Sequence, residues 1–132
     1  MRSVRGIPAD EIMEIWPRID DLVWRAIKRS PDYTLDDVYQ SLVTQHRQLF
    51  ATWPEIDTIC ITSIEIRPAA KVLVIWWKAG VLHDDWRLML QATENWGRSM
   101  GCSRIEFRGR KGWQRLLPDY RTETLYWKEL AG

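Results

Sequence analysis

Val72-Leu73-Val74-Ile75-Trp76-Trp77, followed by Lys78-Ala79-Gly80-Val81-Leu82-His83, is the stretch that decides the fold. The first six residues form an apolar run with no polar break, and the next six read as a short turn. From Asp84 to Met100 the pattern changes to a helix, with Trp86, Met89, Leu90, Thr93, Trp96 and Met100 forming a stripe at the 3.6-residue period. Asp84 or Asp85 suits the N-cap and Gly101 the left-handed position after the last turn. Arg104-Ile105-Glu106-Phe107-Arg108 then reads as a strand. A strand that feeds directly into a helix N-terminus creates an anion pocket, because unpaired N–H groups and the helix dipole converge there.

Working outward, Pro8-Ala9-Asp10 opens a helical region reaching about Arg29. Ile19, Val23, Ala26 and Ile27 are helically spaced, and Pro17 falls at a kink or in the first turn of the second half. Thr34-Leu35-Asp36-Asp37 has the form of a capping box and starts a helix to about Gln45. Gln48–Trp53 and Thr58–Ile66 read as strands that continue into the Lys71 strand as an antiparallel meander. The low alternation of Ile59-Cys60-Ile61 and Val72–Trp77 implies helices on both faces of the sheet. Near the C-terminus, Trp113–Leu117 is a short helix and Thr122–Leu130 a last strand. The order is helix, helix, three strands, helix, strand, short helix, strand, within one domain covering residues 1–132.

Composition sets the outer limits. A chain of 132 residues, 45% hydrophobic and 28% charged, is globular, and a net charge of +1 gives no overall pull towards nucleic acid or an anionic membrane. The longest apolar run is too short to span a bilayer, and Met1-Arg2-Ser3-Val4-Arg5-Gly6 lacks the apolar core of a signal peptide, so the cytoplasm is the expected compartment. Cys60 and Cys102 are expected to be reduced thiols rather than a bridge. His46 and His83 have no ligand spacing, so no metal is expected. Nine Trp stand against two Phe. Core filling accounts for Trp16, Trp24, Trp86 and Trp96, whereas Trp76 and Trp77, adjacent in a strand, are expected on opposite faces. Exposed Trp together with the basic segment Arg104, Arg108, Arg110, Lys111, Arg115 and Arg121 would suit a protein interface, through self-association or docking on a larger assembly.

From Leu49 to Leu130, this element order resembles the GCN5-related N-acetyltransferase (GNAT) fold, a mixed α/β (α+β) architecture with a central, mostly antiparallel sheet and helices on both faces. Trp-Gly-Arg-Ser-Met-Gly-Cys before the fifth strand and Gly-Trp-Gln-Arg-Leu-Leu-Pro-Asp-Tyr-Arg before the last add to the likeness, which is nearest to small GNAT-type proteins of tailed bacteriophages. The resemblance implies that acyl-CoA lies between the splayed strands at Val72–Trp77 and Arg104–Phe107. It also implies a pyrophosphate on the backbone of the loop before the helix, which assigns cofactor contacts to Trp77, Lys78, Ala79, Gly80, Val81, Leu82, His83 and Asp84. Family members carry Gln/Arg-x-x-Gly-x-Gly/Ala in this loop. Here Gly80 is the loop's only glycine, with Val81 and Leu82 where small residues belong, so acetyl-CoA binding is expected to be weak.

Catalysis needs a base for the amine, an acid for the thiolate and an oxyanion donor. The family's usual acid, a Tyr in the helix after the fifth strand, has no counterpart between Gly109 and Leu117, and Tyr120 corresponds to a structural aromatic. His83 and Glu65 are the candidate bases. Two functions follow: an acyl-CoA-dependent N-acetyltransferase, phage-encoded, or a catalytically inactive GNAT-fold interaction protein such as a phage virion or host-takeover component.

Overall fold

The computed structural model describes residues 3–80, 84–109, 115 and 117–130. Strand β1 (Ser3–Ile7) leads through a single 3-10 turn, Ala9–Glu11, into helix α1 (Ile12–Ile27), and α2 (Leu35–Val43) follows. Next come β2 (Gln48–Trp53), β3 (Thr58–Arg67) and β4 (Ala70–Gly80), then helix α3 (Asp84–Ser99) and β5 (Arg104–Phe107). The five strands lie in the order β1-β2-β3-β4-β5. All neighbours are antiparallel except β4 and β5, which run parallel with α3 as their crossover. The apolar run is thus an interior strand, as its lack of alternation requires.

Helices cover both faces. On one, α1 and α2 bury Ile15, Ile19, Val23, Ile27, Val38 and Leu42 against Leu49, Ile59, Ile61 and Trp77 of the sheet. On the other, α3 buries Trp86, Met89 and Leu90 against Phe50, Cys60 and Ile75, and Trp96 packs edge-on against Phe50 with ring centroids 5.6 Å apart. The stripe read from the sequence is therefore the face α3 buries, except at its end, where Met100 is exposed.

The signals at the helix ends are realised as bonds. The Thr34 hydroxyl accepts from Asp37 N–H at 3.1 Å, and the Asp37 carboxylate accepts from Thr34 N–H at 2.8 Å. Those bonds hold the Asp37 carboxyl below its usual range. Gly101 takes φ +83°, which lets Cys102 N–H reach Gly97 O at 2.9 Å and Gly101 N–H reach Arg98 O at 3.0 Å, closing α3 as a Schellman motif.

The structure departs from the sequence reading in several places. β1 is a strand that the sequence pattern does not announce; five residues including Arg5 and Gly6 give almost no periodic signal, and pairing with β2 supplies what propensity lacks. Lys78-Ala79-Gly80, read from the sequence as the start of a turn, continue β4, because β3 still pairs with them. Trp24, expected in the core, is 51% exposed. Residues 121–130, expected to hold the last strand, form none, and Tyr126 and Trp127 are 89% and 75% exposed. The short helix expected at Trp113–Leu117 lies largely outside the described residues.

Two substitutions test this packing by chemical denaturation. Leu90→Ala is expected to destabilise the fold by about 2–5 kcal/mol, since the residue is buried between α3 and the sheet; a neutral result would place the stripe elsewhere. Gly80→Ala is expected to cost about 2–4 kcal/mol. Gly80 has φ +130°, and a Cβ there would stand 2.3 Å from Asp57 O and 2.5 Å from Thr58 Cα.

Candidate functional site: the gap between β4 and β5

Among the described residues, β5 pairs with β4 only from Val72↔Arg104 to Ile75↔Phe107, whereas β4 runs on to Gly80 paired with β3 alone. The gap begins at Trp76. There the β3–β4 register slips between Ile61 and Thr62, with Ile61 facing Trp77, Thr62 facing Ile75, and Trp76 as the extra residue. A bulge leaves its extra residue outside the ladder and re-aims the side chains that follow.

The bulge overturns the alternation expected of the paired tryptophans. Instead of taking opposite faces, the Trp76 and Trp77 rings lie 5.6 Å apart and both meet Tyr33 of the α1–α2 connection edge-on, at 5.8 and 5.0 Å. Trp76 Nε1–H donates to Ser63 Oγ at 2.7 Å and Trp77 Nε1–H to Ser30 Oγ at 3.3 Å, which fixes both indoles. Arg47, just after α2, lies over the cluster, its guanidinium carbon 4.5 Å from the Trp76 ring, 4.8 Å from Trp77 and 5.3 Å from Tyr33.

Lys78 returns to the α3 face. It pairs with Cys60, and its ammonium nitrogen lies 4.0 Å from the Phe107 ring centroid of β5 and 5.2 Å from that of Trp86 on α3. The side chain thus spans the gap. Burial pulls the Lys78 amine down from 10.5 to about 8. The same burial pushes the Cys60 thiol up to about 12, so this cysteine is an inert core residue.

Tyr120 closes the far wall. It packs against Phe107 at 5.6 Å, and its hydroxyl donates to Glu94 on α3 at 2.5 Å. Burial, with the Glu94 carboxylate second, raises its pKa well beyond the usual phenol range. This agrees with a structural rather than acidic role.

The residues singled out from the sequence divide as follows. Trp77, Lys78, Ala79 and Gly80 lie on the part of β4 that borders the gap, and Asp84 is the first residue of α3. Val81, Leu82 and His83 lie outside the described residues. Gly80 closes against Thr58 of β3, so that packing accounts for the glycine. Glu65 stands two residues along β3 from Ser63, hence on the same face as the Trp76 indole. Its carboxylate is engaged by Arg67 at 2.6 Å, and Arg67 also binds Glu106 at 2.8 Å, which Arg104 contacts in turn. The bond from Arg67 lowers the Glu106 pKa. Sequence reasoning took Lys78 only as a contact in the cofactor loop and did not single out Arg47. Alternation alone would put Lys78 on the face opposite Ile75, and only the bulge brings it to the side of Cys60; nothing in the sequence marks Arg47. Among the described residues no cluster of His, Cys, Asp and Glu could hold a metal ion, and no helix is long and apolar enough to cross a membrane.

No family model and no curated protein matches the sequence. Solved structures do match its fold. An aminoglycoside N-acetyltransferase, AAC(6')-Iy, in complex with a bisubstrate analogue of CoA superposes with TM-score 0.75 at 13% identity, over 100% of this chain and 99% of the other. A GCN5-related N-acetyltransferase from Ralstonia eutropha gives 0.73 at 12% identity, with both chains covered completely. An aminoglycoside acetyltransferase from an uncultured soil metagenomic sample, in complex with sisomicin, gives 0.71 at 9% identity over 99% and 97%. The mixed α/β architecture, with its five-stranded, mostly antiparallel sheet between helices, is therefore the fold of the GCN5-related N-acetyltransferases.

Proposed function

We propose that this chain transfers an acetyl group from acetyl-CoA to an amine, with the gap between β4 and β5 as the seat of the thioester. The observation that carries the reading is the coincidence at one point of three features: the end of β5 pairing, the bulge at Trp76 and the Lys78 amine. The gap suits the thin arm of the cofactor. The diphosphate end fits less well, because Gly80 is already explained by the β3 contact and the sequence Asp84-Asp85 opens α3 with two acidic residues where an anion would be held.

Within this reading the chain's groups have distinct tasks. The backbone amide at the Trp76 bulge, outside the β3 register and past the end of β5, is the oxyanion donor. The Lys78 ammonium hands its proton to the departing thiolate; an acid with pKa about 8 is well matched to a thiol of about 8.5. Glu65 lies on the side from which the amine enters and takes its proton through a water. His83 keeps the role of alternative base.

A second reading, a non-catalytic docking protein or self-associating component of a larger particle such as a phage, is favoured by one observation. Leu125, Tyr126, Trp127 and Leu130 stand exposed in a segment without secondary structure. A cover for such a surface would be a protein partner.

Calorimetry separates the two readings. Acetyl-CoA is expected to bind with a dissociation constant on the order of 100 µM and to support acetylation of an amine. Absence of binding and transfer, together with concentration-dependent sedimentation, would replace the first reading by the second. Lys78 provides a test by pH. Transfer is expected to decline as pH rises through about 8, where Lys78 loses its proton, and Lys78→Met is expected to lower kcat roughly 100-fold. The linkage has the opposite sign for stability. The fold disfavours the charged amine, so wild type gains stability between about pH 8 and 10.5, and Lys78→Met is more stable than wild type at pH 7 by an amount that shrinks over that interval. An unchanged pH–rate profile in Lys78→Met would remove the lysine from the chemistry.

A further inference from the structure

We propose that Arg47 recognises the acceptor by an anionic group, so that the preferred substrates are amines that also carry a carboxylate or phosphate. The inference rests on the acyl-transfer reading for its location and on Arg47's own surroundings for its chemistry. β4 from Trp76 to Gly80 has no β5 beside it, so the gap joins the two faces of the sheet. Lys78 lies on the α3 face and the Trp76–Trp77–Tyr33 cluster on the other. An acceptor that reaches the thioester from the α1–α2 face passes Arg47.

The placement of Arg47 is defined. After α2 the chain turns through Gln45, which takes φ +66°, a conformation a non-glycine residue adopts at some cost, and Arg47 N–H then donates to Ser41 O at 3.0 Å. The guanidinium rests on three rings, of which the two indoles are tied by Ser63 and Ser30.

Arg47 combines partial burial with the lack of a carboxylate partner among the described residues; Arg18 meets none there either, but it is exposed and donates to Pro54 O at 3.1 Å. Arg5, Arg25, Arg67, Arg98 and Arg104 each meet a carboxylate. Arg47 meets none among the described residues, although it is partly buried and burial is the main cause that lowers its pKa. Tyr33 and Asp37 favour its charge, but the Asp37 carboxylate is committed to the capping box of α2. The Tyr33 hydroxyl accepts from the guanidinium and the rings offset part of its desolvation, yet neither supplies the paired, charge-assisted N–H bonds that a carboxylate or phosphate takes. An incoming anion would supply the missing counter-charge. A polycation such as an aminoglycoside would meet like charge here instead.

The test uses the whole chain and a readout independent of turnover: tryptophan fluorescence titrated with glutamate, phosphoethanolamine and cadaverine, beside calorimetry with acetyl-CoA. The two anionic amines are expected to bind at least about tenfold more tightly than the diamine, with a preference that weakens as salt is added. Arg47→Gln is expected to abolish the preference and leave acetyl-CoA binding in place, and Arg47→Lys to retain part of it. Equal binding of all three probes by wild type, or a preference for cadaverine, overturns the proposal even if Arg47→Gln fails to fold. If acetyl-CoA binds while the anionic amines do not, the Arg47 proposal falls and the acyl-transfer reading stands. If the anionic amines bind through Arg47 and acetyl-CoA does not, the transfer reading falls and the anion site stands.

Discussion

One extra residue in β4 sets the geometry of the gap. Without the bulge, Trp76 would continue the ladder with β3 and the side chains after it would sit on the opposite faces. With it, Trp76 and Trp77 turn together towards Tyr33 and Arg47, and Lys78 turns towards α3. The bulge also coincides with the last β4–β5 pair, Ile75↔Phe107, so the strands part where the backbone is already out of register. Twist concentrated at a bulge is a known way to end pairing and re-aim side chains. Here the strands part with aromatic and cationic groups on either face.

The rest of the fold holds that point still. α1 and α2 press Trp77 from one side through an apolar layer, and α3 anchors Trp86 and Met89 on the other. Gly80 ends β4 in tight contact with Thr58, and the Schellman turn at Gly101 brings the chain back into β5 beside Val72. The interior is close-packed on both faces of the gap, so a ligand entering it would find walls already set rather than have to order them.

Much of this could be read from the residues. The apolar run, the α3 stripe, the capping box at Thr34 and the glycine stop at Gly101 are local signals with strong physical causes, and they yield the meander, the crossover and helices on both faces. What could not be read is tertiary. β1 has too little pattern to stand out and exists because β2 offers a partner. Residues 122–130 alternate well enough to suggest a strand, yet local pattern cannot supply a neighbour. The Trp76–Trp77 expectation fails because period 2 holds only while register holds. Lys78 and Arg47 look like ordinary surface residues in the sequence; burial against Phe107 and Trp86, and stacking on three rings, distinguish them.

If the acetyl group is held at the bulge, its methyl lies beside Trp76. In a sample saturated with acetyl-CoA carrying a 13C-labelled acetyl group, nuclear Overhauser contacts are expected from that methyl to Ile75, Trp76, Lys78 and Phe107. Contacts confined to other residues, or none at saturation, would contradict that placement.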